Sequence, residues 1–346
     1  MSLSRIRVRF YGCTIVASVV VLALLPMQAS HAGFWSDLFK GSSKKHEKRE
    51  KPKSAAAAAP KHAAPAPEKH AARPKPVASP ALAAVQKSEG VEEARLSKPV
   101  AAAQKCVPAK FRIVVDVGHT AESEGALSAR NVPEFNFNLN LARRVVEGLK
   151  AEGFAQAKLL VTEGKARPSL ARRVNAANHL HADLFLSIHH DSVPDKMMEN
   201  WEFEGKKSHF SDRFSGYGVF VSRSNPDFES SFQFARLIGN QMRAQGFKFA
   251  NQYTLPVMGK YRHDLLDKEA GVYRYDHLIV LMKTDMPAAL LEAGSIINRD
   301  EELQMASPER QDKTAFAVTA ALREYCGLPP VKPPAMPPDA QAKVDH

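Results

Sequence analysis

His119, Glu134, His189 and Glu292 each stand at the edge of a patterned segment, and together they offer the donors of a hydrolytic metal centre. Two imidazoles and a carboxylate suit Zn²⁺ and leave one coordination position for water. A second carboxylate could serve as general base toward that water. Each residue also has a plainer reading. A lone histidine after a strand is usually a hydrogen-bonded loop residue, and Glu134 favours a helix start, where the dipole suits negative charge. Glu292 is harder to explain this way, because a carboxylate closing an apolar run is costly to bury without a partner.

The elements that must position these groups alternate along the chain. Ile113-Val114-Val115-Asp116 is a short β-branched run leading into Gly118-His119, which predicts a strand and its outgoing loop. Phe137, Leu141, Val145 and Leu149 recur every four residues, a helix with one apolar stripe that ends near Gly153. Residues 158–162 predict a strand, and 169–180 a helix with Ser169 as its N-cap. Residues 183–188 form an apolar run suited to a buried strand, with His189 just beyond it. A strand at 218–222, a helix at 232–245, a strand at 288–292 and a helix at 310–325 complete the series. Strands alternating with helices predict one α/β domain, a mainly parallel sheet flanked by helices on both faces. Reactive groups in such sheets gather beyond the carboxyl ends of the strands; His119, His189 and Glu292 lie at or near such ends, and Glu134 at the start of a helix.

Composition limits what this domain does. The chain has 346 residues and a formal charge of +11. That charge is uneven: residues 1–40 carry +3, residues 41–110 carry +9, and residues 111–346 carry −1. A nucleic-acid-binding domain is excluded as the leading reading, because the cations avoid the patterned part of the chain. Arg5, Arg7 and Arg9 precede an apolar run from Cys13 to Leu25, followed by Ser30-His31-Ala32. These are the parts of a secretory signal peptide, and the run is shorter than the roughly 20 residues of a spanning helix. The chain reads as exported, to the periplasm or cell envelope, although an uncleaved anchor stays open. Residues 33–105 are rich in Ala, Pro and Lys and read as a disordered cationic tether. The division is 1–32 signal peptide, 33–105 linker, 106–327 catalytic domain and 328–346 Pro-rich tail. Membrane contact is expected only through the signal segment or the basic linker. Cys106 and Cys326 bracket the domain, and in an oxidising compartment they could pair, but sequence alone leaves pairing and two free thiols open.

The ordered set of short motifs carries a resemblance. Asp116-Val117-Gly118-His119, Glu134 to Leu139, Ser187-Ile188-His189-His190-Asp191, and Leu290-Leu291-Glu292-Ala293-Gly294 with Asn298 and Glu301 resemble the zinc-dependent N-acetylmuramoyl-L-alanine amidases called Amidase_3. Leu170 to Arg173, with Ala177-Asn178 before residues 182–185, is similar to the family's approach to its second histidine. The match runs from Phe111 to Tyr325. It implies that His119, Glu134 and His189 hold Zn²⁺ and that Glu292 is the catalytic carboxylate. The implied substrate is peptidoglycan, cut at the amide between the lactyl group of N-acetylmuramic acid and L-alanine. Zinc would acidify water and polarise the carbonyl, while Glu292 would take the water's proton and return it to the leaving amine.

Two departures stand against the family pattern. Thr120-Ala121-Glu122 follows the first histidine where a glycine is usual, and residues 192–216, with Trp201, Phe203, Phe210 and Phe214, form a longer connection than usual. That insertion reads as packing against the domain's flank, or else as a substrate wall, lid or partner surface. His190 points away from its neighbour on a strand exit and is not counted as a ligand. An activating protein partner is left open, and so is autoinhibition, for which no clear helical counterpart is visible. The rival functions are another exported zinc peptidase, such as a carboxypeptidase on stem peptides, and an inactive peptidoglycan-binding scaffold.

Overall fold

The β-branched and leucine-rich runs become the centre of a seven-stranded sheet in the computed structural model, which describes residues 106–331. The signal-peptide, linker and most of the tail assignments lie outside these residues. The strands are β1 (Ile113–Val117), β2 (Lys158–Leu160), β3 (Leu184–Asp191), β6 (Gly218–Val221), β7 (Leu265–Asp267), β8 (Val272–Arg274) and β9 (Ala288–Ser295). Their order across the sheet is β2-β1-β3-β9-β6-β8-β7. From β2 to β9 every neighbouring pair is parallel, and β6 runs antiparallel to β9. A separate hairpin, β4 (Glu199–Phe203) with β5 (Lys206–Phe210), is built from the insertion.

Helices cover both faces, as the alternating pattern requires. α1 (Glu134–Ala151), α3 (Phe228–Ala244) and α6 (Pro308–Tyr325) pack on one face. There Val115, Leu186, Leu291 and Val219 meet Val145, Ile238 and Val318, all fully buried. α2 (Ala166–His179) and the short α4 (Ile279–Met282) lie together on the other side, and α5 (Arg299–Ala306) follows β9.

Several expected boundaries move for identifiable reasons. Ser169 is not the N-cap of α2: the helix starts one turn earlier, and the Ser169 hydroxyl donates to the Ala166 carbonyl instead. β3 and β9 each continue past their apolar runs because neighbouring strands pair with them, so His189 lies within its strand rather than after it, and Glu292, expected as the last strand residue, is followed by three more. Gly153 does end α1, in the left-handed conformation with φ 89°. Cys106 and Cys326 form a disulfide with their Cα atoms 4.9 Å apart, tying the start of the domain to the end of α6. No helix among the described residues is long and apolar enough to cross a membrane.

Candidate metal centre and active site

Helix α1 brings its apolar stripe up to a polar crown. Leu141, Val145 and Leu149 are buried along it, and one and two turns earlier the same stripe carries Asn138 and Glu134, which are 0% and 2% exposed. Pro133 precedes Glu134 in extended conformation and sets the entry of the chain into the helix. The Glu134 carboxylate therefore projects at the carboxyl ends of β1 and β3. Its Oε2 lies 3.0 Å from His119 Nε2, and its Oε1 lies 2.9 Å from His189 Nδ1. One donor atom from each of the three residues lies within 4.8 Å of the others, so the group could hold a metal ion.

Each member is fixed by its own supports. Glu134 Oε1 also accepts from Asn138 Nδ2 at 3.1 Å, and Oε2 accepts from the Ala126 backbone N–H at 3.1 Å. Burial opposes the charge on Glu134, but His119 and His189 outweigh it and hold the carboxyl well below its usual range. His119 has φ 66°, and its carbonyl accepts from the Arg173 guanidinium. Arg173 reaches from α2 to bond both oxygens of Asp116 at 2.9 Å, and Ser187 Oγ donates to the same carboxylate at 2.7 Å. That buried ion pair clamps the exit of β1 where the first histidine leaves the sheet. The unusual residues after His119 are anchored too: Thr120 Oγ1 donates to the Gly164 carbonyl, and Glu122 accepts from the Gly164 N–H.

Two glycines make room for the histidines. A Cβ on Gly118 would lie 2.5 Å from His189 Nε2, and one on Gly125 would lie 2.5 Å from Glu134 Oε2 and 2.7 Å from the His119 ring. Gly125 also has φ 84°, which only glycine adopts without strain.

Glu292 is the cross-strand partner of His189 on β3 and of Gly218 on β6. Residues paired across strands share a face, so the carboxylate stands on the same side of the sheet as His189. Its Oε2 is buried with no hydrogen-bond partner. Burial pushes the Glu292 carboxyl well above its usual range, and the charges of Asp191 and Glu134 add to the shift. A buried carboxylate oxygen left without a partner is rare in a merely structural role. All four expected site residues are thus gathered on neighbouring elements.

Sequence reasoning missed two supports. Asn138 was readable as the residue one turn after Glu134 on the buried stripe. Asp191, two residues after His189 and therefore on its face, is raised to about 7 by burial and accepts from Gln252 Nε2 at 3.3 Å. His190 points to the opposite face, as expected, and is not part of the donor group. Its Nδ1 lies 2.8 Å from Asn138 Oδ1, and burial lowers it to about 3, so it is neutral and donates there.

The fold and site together define an α/β domain with a His-Glu-His group that could hold a metal ion and a carboxyl on the neighbouring strand. Residues 113–324 match the Amidase_3 family, described as N-acetylmuramoyl-L-alanine amidase. The chain belongs to this family and is a peptidoglycan amidase. It is 25% identical to the N-acetylmuramoyl-L-alanine amidase Rv3717 of Mycobacterium tuberculosis, over 59% of this chain and 73% of that one. It is 25% identical to the N-acetylmuramoyl-L-alanine amidase AmiC of Escherichia coli, over 62% of this chain and 52% of the relative. Among solved structures, the amidase Ami1 of Mycobacterium smegmatis aligns with TM-score 0.49 and 20% identity, covering 64% of this chain and 99% of that one.

Proposed function

We propose that the chain cuts the amide between N-acetylmuramic acid and L-alanine with His119, Glu134 and His189 as zinc ligands and Glu292 as the catalytic carboxylate. The observation that carries this reading is the Glu134 carboxylate bridging the two imidazoles at 3.0 and 2.9 Å. Two neutral nitrogen donors and one anionic oxygen, with a fourth position left to solvent, are the donor set of hydrolytic zinc. When bound, Zn²⁺ supplies Lewis acidity that acidifies water and polarises a carbonyl oxygen.

The protein's own groups do the rest. Asn138 and the Ala126 N–H orient Glu134, and the Arg173–Asp116 pair holds the backbone of His119. Glu292, as the carboxylate, takes a proton from the attacking water and delivers it to the departing L-alanine nitrogen, so the carboxylate is regenerated each cycle. Its high proton affinity suits the delivery step. A cation nearby favours the charged form and prepares the carboxylate for the first step.

Export to the cell envelope fits the same reading. A disulfide spanning the whole domain persists in an oxidising compartment, where peptidoglycan is found.

The test is digestion of purified peptidoglycan by the full chain, with and without a zinc chelator, followed by mass spectrometry. Chelator-sensitive release of stem peptides with a free L-alanine amine is the expected result. Peptides shortened at the far end would reassign the chain as a carboxypeptidase. Failure to retain zinc after mild dialysis would remove the metal assignment.

A further inference from the structure

The insertion between β3 and β6 folds into a hairpin that an isolated pair of strands would hardly sustain. One of its faces, Asn200, Glu202, Lys207 and His209, is exposed. The other packs on the domain. Two guanidinium groups lie over Trp201 there, with Arg299 5.3 Å and Arg130 5.7 Å from its ring centre. Arg299 also covers Phe210 at 3.8 Å, and Arg130 is held by Glu302 Oε2 at 2.6 Å.

The hydrogen bonds from this face converge on one peptide. Trp201 Nε1 and Ser208 Oγ both donate to the Ala129 carbonyl at 2.8 Å, and the Ala129 N–H donates to the Ile296 carbonyl at 2.8 Å. Asn131 Nδ2 adds a bond to the Lys207 carbonyl at 3.3 Å. Ala129 belongs to a tight loop that closes on the metal group. Its other end contributes the Ala126 N–H to Glu134 Oε2, receives the Glu134 N–H on the Ala126 carbonyl, and lays Gly125 against the Glu134 carboxylate and the His119 ring.

We propose that Trp201, with Ser208, is a positioning element for the metal centre: the hairpin braces loop 124–133 and thereby fixes the carboxylate of Glu134. The inference rests on Glu134 being a metal ligand. It gives the insertion a task at the site without any contact with substrate. Supporting contacts around metal ligands set their orientation, and their loss is felt in metal affinity. Trp201→Phe keeps an aromatic ring near the two arginines while removing the indole donor and part of the ring area, and Ser208→Ala removes the second donor to the same carbonyl.

The experiment compares the parent, the double variant W201F/S208A and the outward-facing control E202A in the full chain. Zinc affinity is read by chelator competition, and backbone exchange in the metal-free protein is read by hydrogen–deuterium mass spectrometry. The double variant is expected to bind zinc about 10-fold more weakly, the lower end of what lost supporting contacts cost such a site. Its exchange is expected to quicken across 124–134, and the control should match the parent in both. Parent-like affinity and parent-like exchange at 124–134 in the double variant would overturn the brace. A structural hairpin without this task would quicken exchange in 199–210 alone. If the double variant does not fold, S208A alone must show the same direction with a smaller effect, or the proposal fails. A parent that does not bind zinc sinks the metal reading instead, and exchange at 124–134 then decides the brace by itself.

Discussion

Asn138 stands one helical turn beyond Glu134, and its Nδ2 donates to Glu134 Oε1 at 3.1 Å while its Oδ1 faces His190 Nδ1 at 2.8 Å. The same Nδ2 reaches the Gly118 carbonyl at 3.2 Å, so one amide ties the metal-group carboxylate to the exit of β1. Replacing Asn138 by Ala should weaken zinc binding by about 10- to 100-fold, the usual cost of losing such a support. Asn138→Asp should do worse, because it sets a second negative charge against Glu134. Chelator competition measures both, and equal affinity in the parent and the Ala variant would show that the amide is dispensable.

Glu292→Gln should lower amide hydrolysis by about 10²- to 10⁴-fold, the contribution expected of a positioned general base. The variant should keep its zinc, since Glu292 is outside the donor group. Metal content and product analysis on the same sample separate the two effects. Unchanged turnover would end the assigned role.

Stability of the metal-free protein should depend on pH through the buried carboxyls. Burial raises Asp191 from 3.8 to about 7, and Glu292 is shifted in the same direction. A carboxyl that binds its proton more tightly when folded stabilises the fold below its ordinary value, and that contribution is lost as pH rises through the folded value. His189 and His190 are shifted down by burial, so their effect is confined to pH below their ordinary 6.5. The carboxyl contribution is lost between pH 3.8 and about 7, and the histidines oppose that loss only below 6.5, so the melting temperature should fall from pH 6.5 to about 7 and level off above it. Asp191→Asn should flatten that slope in a scan of melting temperature against pH. Zinc should raise the melting temperature more at the upper end of the range, because bound metal favours deprotonated surroundings.

Arg173 and Asp116 are 2% and 0% exposed, and Ser187 Oγ donates a further hydrogen bond to the Asp116 carboxylate. Removing one partner of a buried ion pair leaves an uncompensated charge, so Arg173→Met should cost about 3–5 kcal/mol in urea unfolding. Arg173→Lys keeps the charge but loses the fork that spans Asp116 and the His119 carbonyl, and it should fall between. A loss under about 1 kcal/mol for the Met variant would contradict a clamping role, since that is what an exposed pair costs.

The disulfide closes a chain separation of 220 residues. Cys326→Ser should lower stability by about 2–5 kcal/mol, measured by guanidinium unfolding as a lower midpoint with a steeper slope, because the unbridged unfolded chain exposes more surface. A midpoint identical to that of the oxidised parent would show that the bridge does not constrain the unfolded chain.

Much of this protein is legible from residue order. The stripe of Phe137, Leu141, Val145 and Leu149 and the apolar runs before His119, His189 and Glu292 determine the helices and central strands, because their periods match the geometry of those elements. The same pattern puts three of the four reactive groups at strand ends and the fourth at a helix start. Tertiary structure decided the rest. Cross-strand pairing extended β3 and β9 until His189 and Glu292 faced the same side, a relation between residues that no local period encodes. The Cys106–Cys326 bridge depends on a distance between chain ends that spacing does not set. The hairpin at 199–210 carries weak local signals, and its form follows from the arginines, Arg130 and Arg299, that the fold brings over Trp201. Local periodicity is written in neighbouring residues, whereas the site depends on contacts between segments far apart in the chain, and those exist only once the sheet has assembled.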